Sequence, residues 1–314
     1  MRSLSIGYEP MSNDSYSPIT SLSAANGPAT KALWAAPTAD GALNATLTIP
    51  GSKSLTNREL VLAALAEGPS KLIAPLHSRD SERMIAGLTE LGVTFTAVDG
   101  SGAFGPDLLV TPPDQLRSGG TVACGQAGTV MRFLPPVAGL VVGEVHFDAD
   151  DNALHRPMGP MIRALRELGV DVDDAGRWSL PFSVRGHGHV RGGELDIDAS
   201  TSSQFVSGLL LAASRFDVGM HLRHTGPRLP SVPHIDMTVE ALQHRGVRVE
   251  RPSPREWVVA AGPIRAKDIA VEPDLSNASP FRAAAMVAGG TVSITGWPLH
   301  STQPGALPTE ILPQ

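Results

Sequence analysis

"GLTELGVTF" (87–95), "ALRELGVDV" (164–172) and "ALQHRGVRV" (241–249) each end a helical pattern with Gly-Val and then turn extended. Their glycines, Gly92, Gly169 and Gly246, stand 77 residues apart both times. Glycine suits the C′ position of a helix, where the backbone usually turns left-handed. A short strand, a turn and a second apolar strand follow each one. The second strands are "LLVTPP", "PFSVRG" and "WVVAAG", the pattern of a β-hairpin.

A second series lies upstream. Polar or small residues open an apolar helix at Ser54, Gly128, Ser202 and Ser276, each 74 residues after the last. The runs "ATLTIP", "TVACG", "LDIDAS" and "IAVEP" precede these helices, and "SKLIAPL", "EVHFDAD", "GMHLRHTG" and "TVSITGW" follow them. The unit is therefore strand, helix, strand, helix, strand, strand, about 75 residues long. Parallel strands joined through helices require right-handed crossovers, so successive units stack with like ends together. The expected fold is α/β, built from repeated βαβαββ units with pseudo-threefold symmetry.

The repeat changes the reading of "PGSKSLTNREL" (50–60), which carries a lysine, an arginine and three hydroxyls at a helix start. One such stretch reads equally well as a capped helix with solvated charges. Ser202, Ser203 and Gln204 alone are ordinary capping residues. Arg58 alone is a surface residue, Arg156 a solvated charge before Pro157, and Asp236 a dipole-favourable acid near a helix start. Pseudo-symmetry, however, brings several helix N-termini to one place. Convergent N–H groups and dipole ends, with Lys53, Arg58 and Arg132 beside them, make an anion site.

Composition limits what else the chain can be. It has 314 residues, 42% of them hydrophobic and 18% charged, as in a globular protein with a sizeable core. No apolar run of membrane-spanning length occurs, so no membrane partner is expected. Net charge is −6 with scattered basic residues, which argues against nucleic acid. The single cysteine, Cys124, excludes an intrachain disulfide framework and suits a reducing, cytoplasmic setting. No metal-ligand spacing appears, and no cofactor is implied. Residues 1–41, rich in Ser, Pro, Asn and Gly, read as a disordered extension.

"PGSKSLTNRELVLAAL", "AGTVMRFL", "HRPMGPMIRAL", "STSSQFVSGLLLAA" and "PHIDMTVEAL" occur in that order. Together they resemble the 5-enolpyruvylshikimate-3-phosphate synthase family. The resemblance implies two domains of three units each, the inside-out α/β barrel of enolpyruvyl transferases. It implies transfer of the enolpyruvyl group of phosphoenolpyruvate to the 5-hydroxyl of shikimate 3-phosphate, releasing phosphate. Lys53 is then the catalytic residue between both substrates. Ser54, Arg58, Ser202, Ser203, Gln204 and Ser231 fall to shikimate 3-phosphate. Gly128, Arg132, Arg156 and Gln204 fall to phosphoenolpyruvate.

The resemblance also marks departures. Gln126 stands where the family commonly has Asn or a small apolar residue, and Val232 and His234 replace a common lysine and tyrosine. By the repeat, residues 51–265 make a complete three-unit domain. Residues 42–50 and 266–314 make a partial second domain that stops within its fourth repeat. Unfinished sheet edges there lead us to expect association with another chain in a family of monomers. Half of the family's charge clamp has no counterpart, so impaired turnover is expected. Two alternatives stay open: a non-catalytic remnant binding anionic metabolites, and the sister transferase acting on UDP-N-acetylglucosamine.

Overall fold

The structure, a computed structural model, describes residues 38–306 except 101, 102 and 119. Most of the extension expected over 1–41 lies outside the described residues, as does the chain from 307 onward. All elements below belong to the unit that begins at Gly41.

β1 (Leu43–Leu47) precedes a first unit of α1 (Lys53–Ala64), β2 (Ser70–Ile73), α2 (Arg79–Glu90), β3 (Thr94–Val98) and β4 (Asp107–Thr111). The second unit holds β5 (Arg117–Ser118), β6 (Thr121–Ala123), α3 (Gly128–Ala138), β7 (Val142–Asp148) and the single turn α4 (Asp151–Leu154). It continues with α5 (Gly159–Glu167), β8 (Asp171–Asp173) and β9 (Phe182–His187). The third has β10 (Gly193–Ile197), α6 (Gln204–Ala213), β11 (Met220–His224), α7 (Val232–His244), β12 (Val249–Ser253) and β13 (Glu256–Val259). β14 (Ile269–Ala270), α8 (Ser279–Ala288), β15 (Gly290–Ile294) and a 3-10 turn at Pro304–Ala306 complete the described chain.

Three sheets repeat one order: β14-β2-β4-β3, β6-β7-β9-β8 and β10-β11-β13-β12. In each, the first two strands are parallel and the hairpin adds antiparallel. Gly92, Gly169 and Gly246 sit just past α2, α5 and α7 with φ of 94°, 81° and 80°. The C′ reading therefore holds for all three.

The first unit departs from the sequence pattern in one respect. "ATLTIP" does not enter its sheet. β1 pairs in parallel with β15, from Leu43 against Gly290 to Leu47 against Ile294. The first-unit sheet is completed instead by β14, read from sequence as part of the partial domain, with Ile269 against Leu72 and Ala270 against Ile73.

α1, α3 and α6 are buried almost throughout, over residues 56–64, 130–138 and 205–213. α3 and α6 are apolar over most of their length, as burial on all sides requires, whereas α1 buries Thr56, Asn57, Arg58 and Glu59 ahead of its apolar half. The sheets lie outside the helices, and among the described residues no sheet closes into a barrel. α3 and α6 approach closely because residue 208 is glycine. A Cβ there would run into the carbonyl oxygen of Arg132.

One buried ion pair ties the third unit to the first. Arg245 donates to the Glu59 carboxylate at 2.8 Å and to the Ser70 hydroxyl at 3.1 Å. Burial pushes the Glu59 carboxyl upward, against the pull of Arg245. α8 differs from the three central helices: none of its residues is buried, and Val287 is 90% exposed.

Candidate active site

Four helices begin around one cavity of about 530 Å³, and every residue that the resemblance assigns to a substrate lines it, while Val232 and Asp236 do not. α1 begins one turn-position earlier than the sequence suggested. Its N-cap is Ser52, whose hydroxyl accepts from the Leu55 N–H at 3.5 Å, so Ser54 is free to face the cavity. The N-caps of α3, α6 and α7 are Ala127, Ser203 and Ser231, and none of them makes a side-chain capping bond. Ser231 itself is left-handed, with φ of 51°. Three uncapped helix starts therefore bring donors and positive dipole ends to one space.

The strongest positive region surrounds Gly128. Arg132 lies one turn along α3, where its Nη1 donates to the Gly128 carbonyl at 3.1 Å and to Gln204 Oε1 at 3.3 Å. Its guanidinium stacks over the Phe205 ring at 5.3 Å. Only 7% of Arg132 is exposed, and its Nε has no hydrogen-bond partner. Burial first, and the nearby Arg156 cation second, lower its pKa to about 10, so it stays charged at neutral pH. Arg156 is held by the Gln126 carbonyl at 2.8 Å. A Cβ at position 128 would sit 3.1 Å from Arg132 Nη1 and Gln204 Oε1, and 3.8 Å from Arg156 Nη1. Glycine thus leaves open the space between two guanidiniums.

The two cations of α1 behave differently from each other. Lys53 is half exposed, and its ammonium rests 3.3 Å from Asp80 Oδ2. Arg58 is buried beneath the cavity floor and over Phe133 at 5.4 Å. It donates to Thr238 Oγ1, to the Ser54 carbonyl, to Ser207 Oγ and to the His234 carbonyl, at 2.8, 2.7, 3.4 and 2.6 Å. Those bonds use four of its five N–H groups. Burial lowers its pKa to about 9. Arg58 therefore orients Ser54 and α7 while it contributes charge through the wall.

At the α6 start, Ser202 Oγ accepts from the Gln204 N–H at 3.3 Å. That contact fixes the turn which presents Ser202, Ser203 and Gln204 to the cavity. Cys124 stands behind α3, fully buried, with burial pushing its thiol up to about 12. It is inert as a nucleophile.

Sequence reasoning missed Asp80, Thr129, Phe133, Thr201 and Pro230 in the wall, and treated His234 only as a departure. Thr129 follows Gly128 directly and accepts a bond from Asn57 Nδ2 at 2.8 Å, so the recurring helix start could have pointed to it. Asp80 carried no such signal: it enters from α2, whose start lies outside the repeated motifs. Two other cavities, of about 520 and 660 Å³, mix acids and bases; the second takes in the first turn of α2 and the Asp150 N-cap of α4, with carboxylates at both. Paired guanidiniums, a lysine and uncapped helix ends can together restrain phosphate and carboxylate groups close to one another.

Comparison with known proteins gives a consistent answer. The profile of the family described as EPSP synthase (3-phosphoshikimate 1-carboxyvinyltransferase) matches residues 37–312. A curated 3-phosphoshikimate 1-carboxyvinyltransferase from Kocuria rhizophila is 53% identical over 291 residues, covering 90% of this chain and 64% of that protein. Two solved structures of EPSP synthase from Acinetobacter baumannii superpose with TM-scores of 0.69 and 0.68 at 22% identity. They cover 82% and 81% of this chain but 57% and 56% of their own lengths, and at that identity they speak for the fold alone. The chain thus spans less than two thirds of these relatives. Because the profile runs over nearly all the described residues, the chain belongs to the EPSP synthase (3-phosphoshikimate 1-carboxyvinyltransferase) family.

Proposed function

We propose that the protein serves enolpyruvyl transfer from phosphoenolpyruvate to the 5-hydroxyl of shikimate 3-phosphate, with release of phosphate. The observation that carries this reading is the open space at Gly128 between Arg132 and Arg156, in one cavity with Lys53 and the α6 and α7 starts. Phosphoenolpyruvate sits at Gly128, where each guanidinium offers paired donors to an anionic group. Shikimate 3-phosphate places its phosphate on Ser202, Ser203 and Ser231, and its ring by Ser54 above Arg58. Gln204 touches both ligands.

At C2 of phosphoenolpyruvate the 5-hydroxyl oxygen forms a C–O bond as its own O–H bond gives up a proton and the methylene carbon gains one. Loss of phosphate and of that proton restores the double bond. Lys53 lies at the junction, as a point charge and a proton carrier. The cavity's share is to hold two anionic reactants in line at low reorganisation cost. No metal or organic cofactor enters these steps. We read residues 51–265, with β14 completing their first sheet, as the substrate-holding domain, and 42–50 with the described chain after β14 as part of a second domain. We place the reaction in the cytoplasm, in a monomer unless the second domain pairs with another chain. Among the described residues, no helix is long and apolar enough to cross a membrane.

Phosphorus NMR of the purified chain with both substrates tests this reading. New product and inorganic phosphate resonances support turnover. Broadening of the shikimate 3-phosphate line without product reduces the reading to binding. Sharp, unchanged lines from both ligands overturn it.

A further inference from the structure

We propose that His234 takes up a proton when an anion occupies the cavity, so that the site binds its ligand more tightly as pH falls. The inference rests on the anion-site reading above and adds a titrating group to it.

His234 is the third residue of α7, and its backbone is pinned. Its carbonyl accepts from Arg58 Nη2 at 2.6 Å, Thr238 Oγ1 at 3.1 Å and Ser207 Oγ at 3.4 Å. The side chain lines two spaces at once, the 530 Å³ cavity and an adjoining one of about 270 Å³ beside Ser54, Met237 and Asp274. Its Nδ1 is shielded from solvent and has no hydrogen-bond partner. No bond at Nδ1 therefore fixes the tautomer or holds the ring charged.

The charges around the ring favour its neutral form when the cavity is empty. α1 contributes Lys53 and the buried Arg58, while α6 offers no ionisable side chain. Arg132 and Arg156 face it across the cavity, with Asp80 engaged by Lys53. Asp274 borders the smaller space and accepts N–H groups from Lys53, Ser276 and Asn277. On the far side of α7, β12 carries Glu250 and Arg251, with Arg251 paired to Asp236 at 2.8 Å. Glu240 on the same helix accepts from Thr302, and His244 ends it. Burial first, then Arg58, hold the imidazole below the ordinary histidine value.

An anion counters the second of these influences and leaves the burial in place. It offsets the Arg58 charge and gives an imidazolium something to face. Linkage then fixes the sign: a ring pKa that rises on binding makes affinity grow as pH drops, by at most about tenfold per unit of rise. The tyrosine common in the family has no charge change in this range.

Calorimetry of shikimate 3-phosphate binding to the full chain near pH 6.5, in buffers of different ionisation heat, counts protons taken up. The ligand's own phosphate titrates near pH 6 and contributes to every sample. His234→Gln keeps a hydrogen-bonding side chain without titration. The expected result is binding by both forms, with less proton uptake by H234Q, a difference of up to one proton. Histidine ring resonances of the unaltered chain give a second reading, with one midpoint moving up on ligand addition. Equal proton uptake by both forms, or no histidine midpoint that moves, overturns the inference and leaves the anion site standing. Absence of binding by the unaltered chain overturns both.

Discussion

α6 and α8 occupy equivalent places in the repeat, and they differ in almost every physical respect. α6 (QFVSGLLLAA) is buried from Phe205 to Ala213 among α3, α7 and the third sheet. α8 (SPFRAAAMVA) has a similar apolar content and buries none of its residues. β11 beside α6 belongs to a four-stranded sheet, whereas among the described residues β15 beside α8 pairs with β1 alone. Two sequences written to one pattern thus reach different ends according to what surrounds them. Apolar surface stabilises only when something covers it, at about 25 cal/mol per Å². The cavity belongs to the enclosed region: its cations are held by helices that cannot shift without opening the core.

The largest expected contrast is in packing. Phe147, fully buried and stacked on Phe182 with centroids 5.3 Å apart, should cost about 3–5 kcal/mol as Phe147→Ala. Val287→Ala on α8 should stay within about 0.5 kcal/mol. Chemical denaturation measures both. Equal losses would mean that α8 is covered after all.

The buried Arg245–Glu59 pair should give an effect of similar size by another route. Arg245→Ala leaves a carboxylate stranded beside α1 and should cost about 3–5 kcal/mol. Replacing Arg245 and Glu59 together by methionine should recover most of that loss. Separating the surface pair Arg185 and Glu144 should leave the denaturation midpoint unchanged.

Acid should weaken the enclosed region next. Burial alone would raise the Asp107 carboxyl, but the Ala74 N–H and the Lys71 ammonium hold it below its usual value. Asp174 is likewise held low against burial, by the Trp178 and Gly176 N–H groups and by Arg166. A depressed folded value means stability that is complete above the unfolded pKa of about 3.9 and lost as pH falls below it. The contribution of these two carboxylates should therefore be complete above about pH 5 and decline below pH 4, with Asp107→Asn abolishing part of that decline.

Gly128→Ala should have a small effect on stability and a large one on binding. Alanine favours the helix, yet its methyl enters the space between Arg132 and Arg156. Stability should change by less than about 1 kcal/mol, while affinity for phosphoenolpyruvate falls by at least about tenfold. Unchanged affinity would remove the ligand from that space.

The parts of this account that sequence made legible are those fixed by local chemistry. Gly92, Gly169 and Gly246 mark helix ends because the left-handed turn is a requirement of the residue itself. The helix starts at Gly128 and near Ser202 were visible because the same requirement recurs at a fixed period. The pairing of β14 with β2 was not, since Leu72 and Ile269 meet across well over half of the chain. "ATLTIP" and "IAVEP" fit the pattern equally, and only packing decides which joins the first sheet. The inward turn of Arg58 was also hidden, because its partners Thr238, Ser207 and the His234 carbonyl come from the third unit. Asp80 reaches the cavity through the tertiary placement of α2, which no motif announced.

The central claim is that the enclosed region builds the anion site. Its most direct test is phosphorus line broadening as the full chain is titrated into phosphoenolpyruvate and shikimate 3-phosphate, each alone and both together. The account predicts broadened lines for both ligands, with Gly128→Ala sharpening the phosphoenolpyruvate line and leaving shikimate 3-phosphate broad. Sharp lines for both ligands with a folded, unaltered chain would contradict it.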